Sequence, residues 1–164
     1  MLKLKKQLTL ALLKPDIVVN PTIRNQILHK IQSHPHSFTI VEQKDILWKL
    51  AQAKAFYKAH EGRFFFERLC GFMTSGKFTA LILAREDAIH YWRQLIGPTH
   101  PCRARVVAPG TLRATYGLTD TRNSFHGSDS DDTAKREIKL FFPDFDIDEW
   151  KTNQEIHDIR KSIK

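Results

Sequence analysis

Two cysteines, Cys70 and Cys102, are all the thiol chemistry in this chain, and they stand in unrelated contexts. A disulfide framework is therefore excluded as the organising device. Cys70 falls within an apolar helical pattern and reads as a reduced core thiol. No apolar run approaches the roughly 20 residues needed to cross a bilayer, which excludes a helical membrane span. The opening MLKLKKQLTLALLKPD is basic but has no small-residue cleavage pattern, so Leu8 to Leu13 reads as a strand rather than a signal-peptide core. Glycine is sparse where it would matter most. No glycine-rich turn follows the first strand, and the Walker pattern is absent, so neither common backbone cradle for phosphate is present. Internal repeats, low-complexity tracts and Ser/Gly linkers are missing too, and nothing divides the chain.

What is present fits one domain over residues 1–164, with a core at about 7–146 and a tail at 147–164. The composition is intracellular in character, with a mitochondrial or cytoplasmic address left open. The net charge is +8, from 26 Lys and Arg against 18 Asp and Glu, and this favours polyanionic partners. The positive residues are dispersed, with the longest basic cluster at the N-terminus, so charge alone does not choose among nucleotide, nucleic acid and solvated surface. KFTALILA interleaves no basic and aromatic residues, which makes a nucleic-acid-binding sheet face the weakest of these.

Strands are expected at Leu8 to Leu13, Phe38 to Leu47, Lys77 to Ala84 and Asn123 to His126. Helices are expected at Thr22 to Ser33, capped by Thr22, and at Leu50 to Tyr57, Arg63 to Thr74, Ala88 to Ile96 and Asp131 to Phe142. Ser130 is a good cap for the last, with Asp131 and Asp132 complementing its positive end. Residues 97–111 read as loop, given Pro98, Pro101, Pro109 and Gly110. The tail from Trp150, with Ile156, Ile159 and Ile163, reads either as a docking helix or as a fraying end. This order suits a ferredoxin-like α/β fold, a four-stranded antiparallel sheet with helices covering one face.

The stretch Asn123-Ser124-Phe125-His126-Gly127-Ser128-Asp129 sets a histidine beside a glycine, a serine and an aspartate. A neutral imidazole near pH 7 can attack phosphorus if one nitrogen is free and the other is held. Glu137, two turns into the following helix, is placed to hold it, and Ser128 could bond Glu137 or an incoming phosphate. Gly127 removes a side chain, which would let phosphate approach. From these residues alone a hydrogen-bonded structural histidine stands equally open. His34 and His36 flank Pro35 without a carboxylate or cysteine companion and read as surface residues, so no protein metal site is expected.

NSFHGSD resembles the active-site signature of the nucleoside diphosphate kinases. LALLKPD, HEGRFFFERL, GPTHP, GTLRATYG and KREI follow the same family in order, from about Leu8 to Phe145. HEGRFFFERL and YGLTDTRN are most similar to its divergent group II branch, of the sixth type. The resemblance implies ping-pong transfer of a γ-phosphate from a nucleoside triphosphate to a nucleoside diphosphate through a phosphohistidine at His126. It implies Arg93, Arg113 and Thr99 on the phosphates, and Lys14 and Asn123 on the sugar hydroxyls. Tyr57 would stand near the nucleophile, Glu137 would orient it, and Ser128 would assist. Mg2+ would travel on the nucleotide phosphates rather than in a protein cage. A helical wheel through the phenylalanine triplet nominates Phe64 as the exposed base-stacker, whereas the resemblance nominates Phe65 with Leu69. Stacking of that kind tolerates every base.

Three departures accompany the resemblance. The segment Thr99 to Arg113 is longer than in the common hexameric members, which bears on subunit contacts and on where Thr99 and Arg113 lie. Asp120 stands where those members place a small apolar residue against the base. The family's usual C-terminal segment is not matched. A homo-oligomeric or partner-bound state is expected, and a nucleotide-binding or scaffold role with little stand-alone activity is the alternative to an active kinase.

Overall fold

The computed structural model describes residues 5–162. Residues 1–4 of the basic N-terminal cluster, and Ile163 of the tail pattern, lie outside the described residues. The chain runs β1 (Lys6–Leu13), α1 (Pro15–Val18), α2 (Pro21–Gln32), β2 (Thr39–Ile46), α3 (Leu50–Phe56), a 3₁₀ turn (Lys58–His60), α4 (Phe66–Met73) and β3 (Phe78–Glu86). It continues through α5 (Ala88–Ile96), α6 (Pro101–Val107), α7 (Leu112–Tyr116), β4 (Phe125–Gly127), α8 (Asp131–Phe141) and α9 (Ile147–Ser162). The strands form one sheet in the order β2-β3-β1-β4, antiparallel at every pairing. The ferredoxin-like antiparallel sheet is therefore present.

Helices cover both faces of that sheet rather than one. β1 and β3 are its central strands, and their apolar residues are nearly continuous instead of alternating. Leu8, Leu10 and Leu12, with Phe78, Ala80 and Ile82, join α3, α4 and α8 in one core layer. Ala11, Leu13, Leu81 and Leu83 join Ile27 of α2, Trp92 of α5 and Leu112 of α7 in the other. A strand buried on both sides has no polar face, and the run KFTALILA is the sequence trace of that.

Several boundaries are set by residues other than those expected. Asn20 caps α2, its side chain accepting from the Thr22 and Ile23 amides, with Pro21 fitting the first turn. Thr22 lies inside the helix. α4 starts at Phe66, so Phe64 and Phe65 precede it and the helical wheel does not apply to them. Residues 97–111 contain α6, because Pro101 presets the backbone of a first helical turn that loses no hydrogen bond to it. The tail is helical from Ile147 and docks through Ile147 and Trp150. Ile156 and Ile159, in the part of the tail that read either as docking or as fraying, are exposed.

One contact positions the short strand that carries His126. β4 pairs with β1 so that His126 lies opposite Leu12 and Phe125 opposite Leu13. Trp92 Nε1 donates to the His126 carbonyl at 2.9 Å. A Cβ on Gly127 would come within 2.5 Å of Trp92 Cδ1. The glycine is therefore required by the indole behind the strand, not by room for a phosphate. Gly127→Ala should lower stability by about 1–3 kcal/mol, the usual cost of overpacking a core. A urea midpoint matching that of wild type would show that Trp92 yields without penalty.

Candidate functional site

His126 reaches the site from β4, and Glu137 reaches it from α8. Ser130 starts α8 by accepting from the Thr133 amide at 3.2 Å, and Ile138 and Phe141 anchor it in the core. Glu137 Oε2 lies 2.9 Å from His126 Nε2 and accepts from Ser128 Oγ at 2.7 Å. Since the carboxylate is an acceptor, Nε2 carries the proton and Nδ1 keeps its lone pair. Nδ1 has no hydrogen-bond partner among the described residues. The ring is 24% exposed, with Phe56 packed edge-on at 5.6 Å. Tyr57, at the end of α3, is buried with its hydroxyl unpartnered. Burial first, and then the Glu137 charge, pushes its phenol well above the ordinary range, so it stays a neutral donor.

These groups line a cleft of about 930 Å³ whose other wall is cationic. Lys14 follows β1, and its Nζ donates to Asn123 Oδ1 at 2.8 Å, while Asn123 Nδ2 donates to the Asp120 carbonyl at 2.9 Å. Burial, with the Arg113 charge adding to it and Asp16 opposing, brings Lys14 down to about 7. Arg113 lies in α7 and donates through Nη1 to the Gly97 carbonyl at 2.6 Å and through Nη2 to the Phe125 carbonyl at 2.9 Å. Its Nε is buried without a partner. Burial, then the nearby Arg93, lowers Arg113 to about 10. Arg93 on α5 and Thr99 after Gly97 are exposed on the same wall. Cations destabilised by burial and by each other make a site that an anion would relieve.

The far end of the cleft is aromatic. Phe64 is 84% exposed, Phe65 is half-buried, and Leu69 is buried behind them. All eleven side chains singled out from the sequence, Lys14, Tyr57, Phe65, Leu69, Arg93, Thr99, Arg113, Asn123, His126, Ser128 and Glu137, gather here. Ten line the cleft, and Ser128 lies just behind Glu137. Sequence reasoning missed Arg103, His60 and Asp129, which also line it. Arg103 carries no sequence signal, because its stretch has loop residues at both ends and a proline marks a loop as readily as a helix start. Asp129 was inside the quoted motif. A hydrogen bond from Thr133, then Ser130 and the Arg93 charge, holds its carboxyl below the usual range.

A family model described as nucleoside diphosphate kinase matches residues 7–147. Nucleoside diphosphate kinase 6 of Danio rerio is 52% identical over 151 residues, covering 92% of this chain and 85% of that protein. The Homo sapiens protein of the same name is 51% identical over 149 residues, covering 91% and 79%. Nucleoside diphosphate kinase homolog 5 of Homo sapiens is 41% identical over 137 residues, covering 83% and 62%. Among solved structures, the nucleoside diphosphate kinase of Aquifex aeolicus superposes with a TM-score of 0.76 at 36% identity, covering 84% of this chain and 95% of that one. The matched region includes every residue of the cleft, and the chain belongs to the nucleoside diphosphate kinase family.

Proposed function

We propose that this chain transfers γ-phosphate between nucleoside triphosphates and diphosphates through a phosphorylated His126. Phosphoryl transfer and nucleotide binding belong to the family. The observation that carries the proposal for this chain is an imidazole with two different nitrogens: Nε2 is tied to Glu137, and Nδ1 is free on a ring that lines a cationic cleft.

Nδ1 attacks the terminal phosphorus with its lone pair, and the N–P bond forms as the bond to the β,γ-bridging oxygen breaks. The nucleoside diphosphate leaves, and another diphosphate collects the phosphoryl group by the reverse step. No proton leaves Nδ1. Positive charge grows on the ring instead, and Glu137, held by Ser128, stabilises it through Nε2–H. Arg93, Arg113 and Thr99 bind phosphate oxygens, and the unpartnered Tyr57 hydroxyl is a donor beside the nucleophile. Lys14 and Asn123 hold the sugar hydroxyls, while Phe65 and Leu69 receive the base. Such chemistry needs mainly positioning and charge neutralisation.

Among the described residues there is no cluster of three or more metal-ligating side chains. Asp129, the carboxylate on the cationic side of the cleft, would be the residue to help hold Mg2+ brought on the nucleotide phosphates. The ion when bound supplies charge neutralisation on those phosphates.

A second reading keeps the binding site but makes turnover depend on a partner. It is favoured by α6, whose Val106 is 81% exposed on the segment that departs from the common family pattern. Rapid turnover by the purified chain alone would remove it.

Labelled ATP should give an acid-labile, base-stable phosphoprotein that His126→Ala does not form. Equal labelling of the two would refute the mechanism. Glu137→Ala should slow phosphoenzyme formation by about 10²–10³-fold in rapid-quench measurements.

Lys14 generates a pH signature. The empty site loses the Lys14 proton as pH rises through about 7, and an adjacent polyphosphate favours the charged form. ADP affinity should therefore fall as pH climbs from 7 to about 9, with proton uptake at pH 8 seen by calorimetry in buffers of different ionisation enthalpy. Lys14→Met should lose that uptake.

A further inference from the structure

The aromatic end of the cleft holds a charge pair that phosphoryl transfer does not use. Asp120 lies in the segment after α7, and its Oδ2 accepts from Arg68 Nη2 on α4 at 3.3 Å. Its Oδ1 accepts from the Thr121 amide at 2.9 Å, which fixes the direction of the carboxylate. Arg68 in turn lies over the Phe64 ring, 5.6 Å from its centroid. Asp120, Phe64 and Phe65 all line the cleft. A carboxylate from one wall thus meets a guanidinium from the other beside the rings that would receive a base. The Asp120 and Arg68 side chains are 38% and 56% exposed, so water screens the pair and a ligand can open it.

We infer that Asp120 reads the edge of the bound base and selects guanine. This rests on the nucleotide reading of the cleft given above. Stacking on Phe65 does not discriminate among bases, so selection has to come from an edge. A carboxylate only accepts hydrogen bonds. Guanine presents two adjacent donors, N1–H and the 2-amino group, with O6 as an acceptor beside them. Adenine and cytosine set one amino group next to a bare ring nitrogen, whose lone pair would face the carboxylate. Uracil sets a single N–H between two carbonyls. Guanine alone exchanges the one contact from Arg68 for two, and leaves Arg68 free to donate to O6 from its place over Phe64.

Calorimetric titration of the full chain with GDP, IDP, ADP and XDP, each with Mg2+, tests this. Wild type should bind GDP about tenfold more tightly than IDP, which lacks the 2-amino group, and than ADP. In Asp120→Asn the side-chain oxygen can still accept from Thr121, while an amide donor replaces Oδ2. GDP should then lose its advantage and XDP, with a carbonyl at position 2, should gain about tenfold, while ADP stays within about threefold of wild type. Equal binding of GDP, IDP and ADP by wild type, or a GDP preference that survives in Asp120→Asn, overturns the inference and leaves the nucleotide reading standing. A variant that loses ADP along with GDP shows Asp120 to be structural and also overturns it. Binding of none of the four by wild type removes the nucleotide reading itself, and the inference with it.

Discussion

Glu137 carries two hydrogen bonds on one oxygen, and the rest of the site is arranged around that atom. Its side chain is 9% exposed, so its charge is held largely out of water by the His126 ring and the Ser128 hydroxyl. A buried carboxylate deprived of such partners is costly, which makes the trio strongly self-orienting. The fold provides the setting through helical spacing. Glu137 and Phe141 lie four residues apart on α8 and so share a side of it. Phe141 packs on Phe56 at 5.3 Å, and Phe56 meets the His126 ring at 5.6 Å. One aromatic side chain thereby fixes the distance between the helix that carries the carboxylate and the strand that carries the imidazole.

Across the cleft the electrostatics run the other way. Lys14 and Arg113 are buried cations whose nearest hydrogen-bond partners are neutral: an amide oxygen and two backbone carbonyls. Carbonyls aim the Arg113 fork without cancelling its charge, and Arg93 adds like charge nearby. Such a wall is organised before any ligand arrives, which is how electrostatic stabilisation avoids reorganisation at the moment of reaction. In the proposed reaction that wall would hold phosphate without a glycine-rich loop. Side chains just after β1 and in the last turns of α5 and α7 converge there, where they could do what backbone amides do elsewhere.

The antiparallel sheet and the His126, Ser128 and Glu137 grouping were legible because each rests on local spacing. A short strand, a turn and a capped helix place those three within fifteen residues of sequence. What was not legible depended on distant contacts. Gly127 answers to Trp92, thirty-five positions earlier, and no local pattern announces that. The second helical layer was visible only as the absence of alternation in β1 and β3, a weaker signal than a pattern. α6 was hidden because proline is both a breaker and a starter, and only the chain's geometry decides which. The helical wheel has no hold on Phe64 and Phe65 because α4 begins only at Phe66, and both rings line the cleft.

The pairing of β4 with β1 has one more consequence. β4 is three residues long, and its successive side chains go to opposite faces: Phe125 toward Trp92, and His126 toward Phe56. Which of the two rings faces the cleft is thus set by odd-or-even count along the backbone. Deleting one residue between the end of α7 and β4 and re-forming the same ladder would send the imidazole into the tryptophan layer and leave only Gly127 in the slot that faces the cleft.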